Sequence, residues 1–496
     1  MSVTSFAPQK PASLWLEKVK LPVPVFLYLL AVVTPVQFSL GPISMNGLRL
    51  LLLIMVLPLS FRLLLGKYGR LFWTDFLFVF HIIWAAVALV VNNPDEVVEF
   101  IGSASIEFIG AYVLARAYIR DVATFAAMIR VLIILVCATL PFAIYEALTS
   151  HPILIEKIRS IPGIRSVTIV QNMPRMGLDR AQVVFPHPIL YGLFASVSFS
   201  LCFMGFKGIF SNVKRYTLSA LITLGVFLSL SSGALLSVVL QFFLIAWAWM
   251  LRSVKGKWLW LFLLFAFIYV LIDLLSNRSP MKVFMTYATF STHNAYYRSF
   301  IFEWGMKNVW ANPIYGIGLN DWVRPRWMHT ASMDNFWLVN AVRYGIPGFS
   351  FLALGYLIAI LKIGLRNLGN DVVLKRFRTA WMITFVGLSF TLSTVHIWAN
   401  IYSFAFFLFG SGIFFAVCDL SDNDGEKLVE AEQDRTLQYS RGNTTIERTR
   451  SQGGRDAPLT RPADTAVDQN LNKQAARADD GPKYTRFPKT SRKGKK

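Results

Sequence analysis

Five basic and acidic residue types recur where this chain leaves its long apolar runs, and their pattern suggests phosphate chemistry. Arg175 and Arg180 lie in NMPRMGLDRAQVVFPHPILYGLF (172–194), and Arg298 heads the aromatic stretch YYRSFIFEWGMKNVW (296–310). Both arginine sets are interleaved with Trp, Tyr, Pro and Gly. A planar guanidinium presents a fork of donors that matches phosphate oxygens bidentately. Fixed guanidinium groups in a partly dry cleft would stabilise charge developing on a phosphate leaving group, with no metal and no cofactor required. An acceptor hydroxyl would need a base within hydrogen-bond reach. Asp334 and His329 are the candidates, with Glu303 behind them. His187, between two prolines, is a further candidate ligand or base. Each has a plainer reading: Arg298 as a snorkelling interfacial cation, Asp334 and His187 as helix caps.

The elements that must carry these residues are membrane spans. Hydrophobic residues make up 55% of the 496 and the mean hydropathy is +0.49, which excludes an ordinary soluble chain. Apolar runs of about 17–25 residues recur, each able to cross a hydrocarbon core of about 30 Å. Twelve spans are predicted, at about 22–40, 46–66, 72–92, 99–117, 124–147, 183–206, 216–231, 233–251, 258–276, 345–365, 379–396 and 400–418. The fourth is weakened by Glu107, and the seventh and eighth are separated only by SLSSG (229–233). The fold class is an all-α polytopic membrane protein. The first apolar run follows Lys10, Lys18 and Lys20 and has no small-residue cleavage site after it, so no cleavable signal is expected. Cys137, Cys202 and Cys418 are scattered in apolar runs and support neither a disulfide framework nor a metal site.

Cations set the orientation. With the amino terminus in the cytoplasm, Arg62, Lys67 and Arg70, then Arg252, Lys255 and Lys257, fall in cytoplasmic loops, while GPISM (41–45) and HIWAN (396–400) on the outside have no Lys or Arg. Both termini are then cytoplasmic. The three parts are an amino-terminal segment 1–21, a membrane domain 22–418 and a basic tail 419–496. The net charge of +21 gathers partly in that tail, which is too poor in large apolar residues to fold and reads as disordered, not as a nucleic-acid binder.

Two long outside loops, about 149–182 and 277–344, break the charge rule. Loops of this length translocate regardless of charge, so the excess of arginine points to an anionic, phosphate-bearing ligand at the outer face. In the second loop Tyr297, Phe300, Ile301 and Trp304 recur at helical spacing over 296–310, with Glu303 and Lys307 an i,i+4 pair. The stripe suits the membrane interface or the bundle, and Trp304 also suits a sugar ring. Asn312-Pro313 stops that helix, and Gly316 and Gly318 permit a tight turn. A lone G-x-G with no strand before it is no nucleotide signature. Asp334 or Asn335 then caps a short helix that Gly345 ends, with Arg343 in its last turn.

An Arg at the head of an aromatic helix, then N-P-x-x-G-x-G, then D-N-x-x-L, then G-x-x-G entering a span, resembles the O-antigen ligase and polymerase superfamily over about 160–350. The resemblance implies a GT-C-like membrane glycosyltransferase with two large periplasmic loops, acting without a metal or a nucleotide sugar. It implies an undecaprenyl-diphosphate-linked oligosaccharide as donor, a glycan or lipid A–core as acceptor, and the bacterial inner (cytoplasmic) membrane as location. By position, Arg175 or Arg180 corresponds to the family's basic residue before the sixth span, Arg298 to the arginine of the large loop, and Asp334 and Asn335 to an Asp-Asn or His-Asn pair. Two departures stand out. Ser232 occupies a place where an Arg is common, and Asp334 stands where ligases tend to have His, which favours the polymerase branch. A polymerase adds a second lipid-linked repeat unit; a ligase uses lipid A–core; a chain-length regulator is a natural partner for the tail. Two other classes compete. A transporter would place ionisable residues at mid-membrane, where His81, Glu107 and Asp273 are the few candidates, and no internal repeat is visible. A non-catalytic export scaffold would leave the loop arginines without a purpose.

Overall fold

The computed structural model describes residues 19–40, 43–170, 174–277 and 292–418, with the isolated positions 280 and 283. The basic tail, most of the amino-terminal segment, and Arg278 and Lys282 of the second loop lie outside the described residues. In chain order come α1 (Val23–Val32), β1 (Val36–Leu40), β2 (Ile43–Asn46), α2 (Gly47–Leu64), α3 (Trp73–Asn92), α4 (Pro94–Tyr118) and α5 (Val122–Thr149). The first long loop contains α6 (Ile153–Arg159) and β3 (Arg165–Ser166). Then follow α7 (Pro188–Gly205), α8 (Asn212–Leu228), α9 (Ser232–Met250) and α10 (Lys257–Leu275). The second loop supplies α11 (Thr292–Ala311), and α12 (Phe336–Leu365), α13 (Val372–Leu392) and α14 (Ala399–Val417) complete the order.

Nine of these helices among the described residues, α2 to α5, α7, α9, α10, α12 and α14, are long and apolar enough to cross a membrane. The chain is therefore a multi-pass, mainly helical membrane protein. Three of the twelve expected spans fall short of that standard for visible reasons. α8 has 17 residues, and α13 carries Lys375, Arg376 and Arg378 near its start. α1 has only 10 residues, because Pro35 turns the chain out of helix. The VQFSL that follows alternates and forms β1 of a small antiparallel sheet ordered β2-β1-β3. Gln37 pairs with Asn46 on one side and Arg165 on the other. An all-helical reading missed this sheet.

Glu107 does not break its span. It lies in a π turn at Ile106–Gly110 inside α4, where Arg49 Nε donates to its Oε1 at 2.6 Å. A buried carboxylate at that depth is sustained by such pairing.

α12 is broken at Gly345, whose φ of 70° and ψ of −177° leave the helical region. The break frees carbonyls that lipid could not satisfy, and the Gly316–Gly318 turn supplies the donors. Ile317 N and Gly318 N donate to the Val342 and Arg343 carbonyls at 2.9 and 3.0 Å, and Ile346 N donates to Pro313 O at 2.7 Å. Gly316 and Gly318 both have φ near 64°. A Cβ on Gly316 would be driven into the Val342 carbonyl, and one on Gly345 into that of Ile314. From α3, Trp84 Nε1 donates to Tyr344 O at 3.0 Å and Asn93 Oδ1 accepts from Leu319 N at 2.8 Å. Irregular backbone at this depth persists because protein surrounds it.

Candidate functional site

The first long loop is held by α5. The Glu146 carboxylate accepts the backbone N–H groups of Gln182 and Val183 at 2.9 and 2.8 Å. Asp179 N donates to Ala147 O at 3.0 Å, and the Ser150 hydroxyl donates to the Asp179 carboxylate. Gln182 staples the rest, donating to the Thr168 and Phe185 carbonyls and accepting from Val170 N, all at 2.9 Å.

This frame turns both arginines towards the turn between α8 and α9. Arg175 Nη1 donates to Leu230 O at 2.8 Å, and Arg180 Nε donates to Ser229 O at 3.4 Å. Leu230 adopts a φ of 43°, a strained position for a side chain with a branched body. Ser232 opens α9, while Ser231 caps it. Burial first, and the neighbouring Arg175 charge second, hold the Arg180 guanidinium down at about 10. Two cations brought this close in partial shelter repel, and an anion between them would relieve that.

His187 caps α7. Its Nδ1 accepts the Ile189 N–H at 3.1 Å, so the capping reading of this residue is the one the structure supports on that nitrogen. Burial, then Arg180 and Arg175, lower its pKa to about 4, which keeps the ring neutral.

The second loop comes to the same place. Of the two readings of the apolar stripe of α11, interface or bundle, the structure shows packing against protein. Ile301 and Val309 are buried in a cluster with Trp322, Met328, Met333, Leu338, Val339 and Val342, so the stripe is covered by protein. Gly305 permits this approach, since a Cβ there would meet the Leu338 side chain. Arg298 is consequently buried, with 9% of its surface exposed, and its Nη1 has no hydrogen-bond partner among the described residues. Burial lowers its pKa; Asp334 acts in the opposite direction, and Arg175 adds to the lowering. Charge from the first loop and the carboxylate of the second thus both reach Arg298.

Asp334 is half-buried, accepts the Ser332 hydroxyl at 3.0 Å, and is not the cap of α12. That role belongs to Asn335, whose Oδ1 accepts Leu338 N at 3.0 Å. The remaining candidates lie apart. His329 is exposed, with no contact tying it to the arginines among the described residues. Glu303 pairs with Lys307 at 3.4 Å, and Lys307 sits 4.0 Å over the half-buried Trp304 ring, which itself packs against the cluster under α11. Among the described residues no three His, Cys, Asp or Glu side chains are grouped to hold a metal ion.

One feature was invisible in the sequence. HIWAN (396–400) served only to set orientation, yet His396 stands parallel to Phe336, the residue after Asn335, at 6.2 Å and 20° between ring planes. Its Nδ1 is buried without a partner among the described residues, and burial followed by the Arg343 charge lowers its pKa to about 4. A short apolar loop gives no local signal of this, because its neighbours come from α7 and α12.

Residues 217–353 match the family model described as O-antigen ligase. No curated protein matches the chain. The matched stretch begins in α8 and runs into α12, and it includes the SLSSG turn, Arg298, Asp334, Asn335 and the clasp at Gly345; Arg175, Arg180 and His187 precede it. The resemblance carried by the Arg, N-P-x-x-G-x-G and D-N motifs therefore has an independent match over the same part of the molecule.

Proposed function

Taking residues 217–353 as a segment of the O-antigen ligase family, we propose that the chain transfers a glycan from a lipid-linked diphosphate donor to an acceptor hydroxyl at the outer face of the membrane. The carrying observation is Arg298. A guanidinium nitrogen buried with no partner among the described residues is costly, and it is in electrostatic reach of both Arg175 and Asp334. Arg298, Arg175 and Arg180 would hold the diphosphate and receive the charge that develops as the sugar–phosphate bond breaks. Asp334, released from capping by Asn335, would take the proton of the attacking hydroxyl.

In this reading the nine helices belong to a GT-C-like bundle of about twelve spans in a bacterial inner membrane, with both termini cytoplasmic and the parts 1–21, 22–418 and 419–496 as expected. The donor is an undecaprenyl-diphosphate-linked repeat unit, no metal takes part, and the favoured reaction is polymerisation of O-antigen or exopolysaccharide units. Joining of finished polymer to lipid A–core is the second reading, favoured by the description of the matching family. A transporter fits less well, because His81 and Glu107 are engaged with Gly348 O at 2.8 Å and with Arg49 at 2.6 Å instead of lining a path.

Gene deletion followed by a polysaccharide gel separates these readings. Single-repeat or absent polymer identifies a polymerase, and long chains left on the lipid carrier identify a ligase. Complementation with Arg298→Ala should lower polymer by about 10²–10³-fold at normal membrane abundance. Wild-type polymer from that variant would exclude an enzyme built on this arginine.

A further inference from the structure

The loop between α13 and α14 is bound to the start of α12, since Phe336 N donates to Val395 O at 3.1 Å. This brings HIWAN beside the Asp334-Asn335 pair. Three rings then form a row. His396 lies parallel to Trp398 at 6.2 Å and 19°, and Trp398 meets the His187 ring at 5.8 Å and 60°. The row connects the mouth of α7, where Arg175 and Arg180 act on His187, with the head of α12.

The loop is also held rigidly. Ala399, a non-glycine residue, has a φ of 51°, a conformation that costs about 1–2 kcal/mol. Behind it Asn400 donates to Val32 O at 3.1 Å and accepts from Asn46 Nδ2 at 3.1 Å. Gln37, Asn46, Pro186, Ala399 and Asn400 surround a small hollow at this point. Trp398 nonetheless leaves 37% of its surface exposed. A strained backbone is thus used to display an indole, beside an imidazole nitrogen with no partner among the described residues, in surroundings mainly of rings and amides. Arg343 is the cation that reaches His396, and Arg175 and Arg180 act at the His187 end of the row.

Building on the transfer reading above, we propose that Trp398 and His396 form the acceptor-sugar subsite. The indole face carries the C–H face of a pyranose ring, and His396 Nδ1 accepts a hydrogen bond from one of its hydroxyls. A flat aromatic face with an adjacent polar handle suits a ligand that is apolar on one face and hydroxylated at its rim. The hydroxyl also satisfies the otherwise orphaned nitrogen.

The test uses the full chain in detergent and, as probe, the delipidated repeat oligosaccharide released by mild acid from the lipid-linked pool of the deletion strain. Saturation-transfer NMR should detect this oligosaccharide on the wild type and on Arg298→Ala, whose lesion lies on the phosphate side. Trp398→Leu should abolish the signal and reduce polymer by about tenfold or more, whereas Trp398→Phe retains both in large part. His396→Phe keeps the ring stack but removes the nitrogen, and polymer should again fall by about tenfold at normal membrane abundance. Wild-type signal and polymer in Trp398→Leu overturn the subsite; should that variant fail to accumulate, wild-type signal and polymer in His396→Phe do so. Polymer persisting in Arg298→Ala would instead remove the transfer reading, and the oligosaccharide signal would still decide the subsite by itself.

Discussion

At the scale of single residues, burial separates Arg298 from the two other proposed phosphate ligands. Arg175 and Arg180 each donate to carbonyls of one turn, so part of their desolvation is offset, while Arg298 Nη1 has no partner among the described residues. A lysine would not replace it, because an ammonium cannot present the same fork. Arg298→Lys should therefore lose nearly as much polymer as Arg298→Ala on the same gel. Asp334 and Asn335, adjacent in sequence, are predicted to fail in different ways. Asp334→Asn should reduce transfer by about 10²–10⁴-fold with unchanged thermal stability, the signature of a lost base. Asn335→Ala should instead cost about 1 kcal/mol of stability as the α12 cap is lost. Equal loss of stability in both would return Asp334 to a structural role. Arg298 and Asp334 were legible in the sequence because their residue types and loop position are unusual. His187 and His396 could not be sorted, since one imidazole is distinguished from another only by what it faces.

At the scale of elements, the N-P-x-x-G-x-G stretch illustrates what a motif can and cannot reveal. Its glycines announced a tight turn, but not its purpose, because the carbonyls it binds belong to a helix further along the chain. The turn satisfies the broken α12, and the break in turn lets the head of α12 carry Asp334, Asn335 and the floor under α11. Gly345→Ala meets both a left-handed φ and the Ile314 carbonyl. It should cost more than about 2 kcal/mol and lower the apparent Tm in detergent by several degrees. An unchanged Tm would mean that the clasp is not structural. α11 shows the complementary limit. Periodicity gave its apolar stripe, yet nothing local distinguishes a stripe that meets lipid from one that meets Leu338 and Val342. α10 lies at the opposite extreme, with only Leu261 buried along its length, so its apolar faces are left to lipid or to another membrane helix.

At the scale of the molecule, hydropathy and the distribution of cations gave the many-span plan, while the number of spans depended on detail such as Pro35 and the charged start of α13. Two neutral imidazoles beside the loop arginines add a property of the whole. His187 and His396 both have pKa values lowered from 6.5 to about 4, so the folded state resists protons that the unfolded chain accepts. Their contribution is complete above about pH 6.5 and is lost as pH falls towards 4. Thermal unfolding in detergent should show a declining Tm across that window, and His187→Asn, which retains a capping oxygen, should flatten the decline. A decline identical to the wild type would show that other groups cause it.

The three-stranded sheet ties the first long loop to the start of the chain. Beyond the β1–β3 pairs, Ser166 Oγ donates to Pro35 O at 2.6 Å and Arg159 Nη2 to Val167 O at 2.6 Å, so the loop bearing Arg175 is moored at its distal end to the first hairpin. Trimming the protein past Val36, a modest cut by length, would therefore release Arg165 and Ser166 and leave the α5 contacts of Glu146 and Ala147 to hold that loop alone.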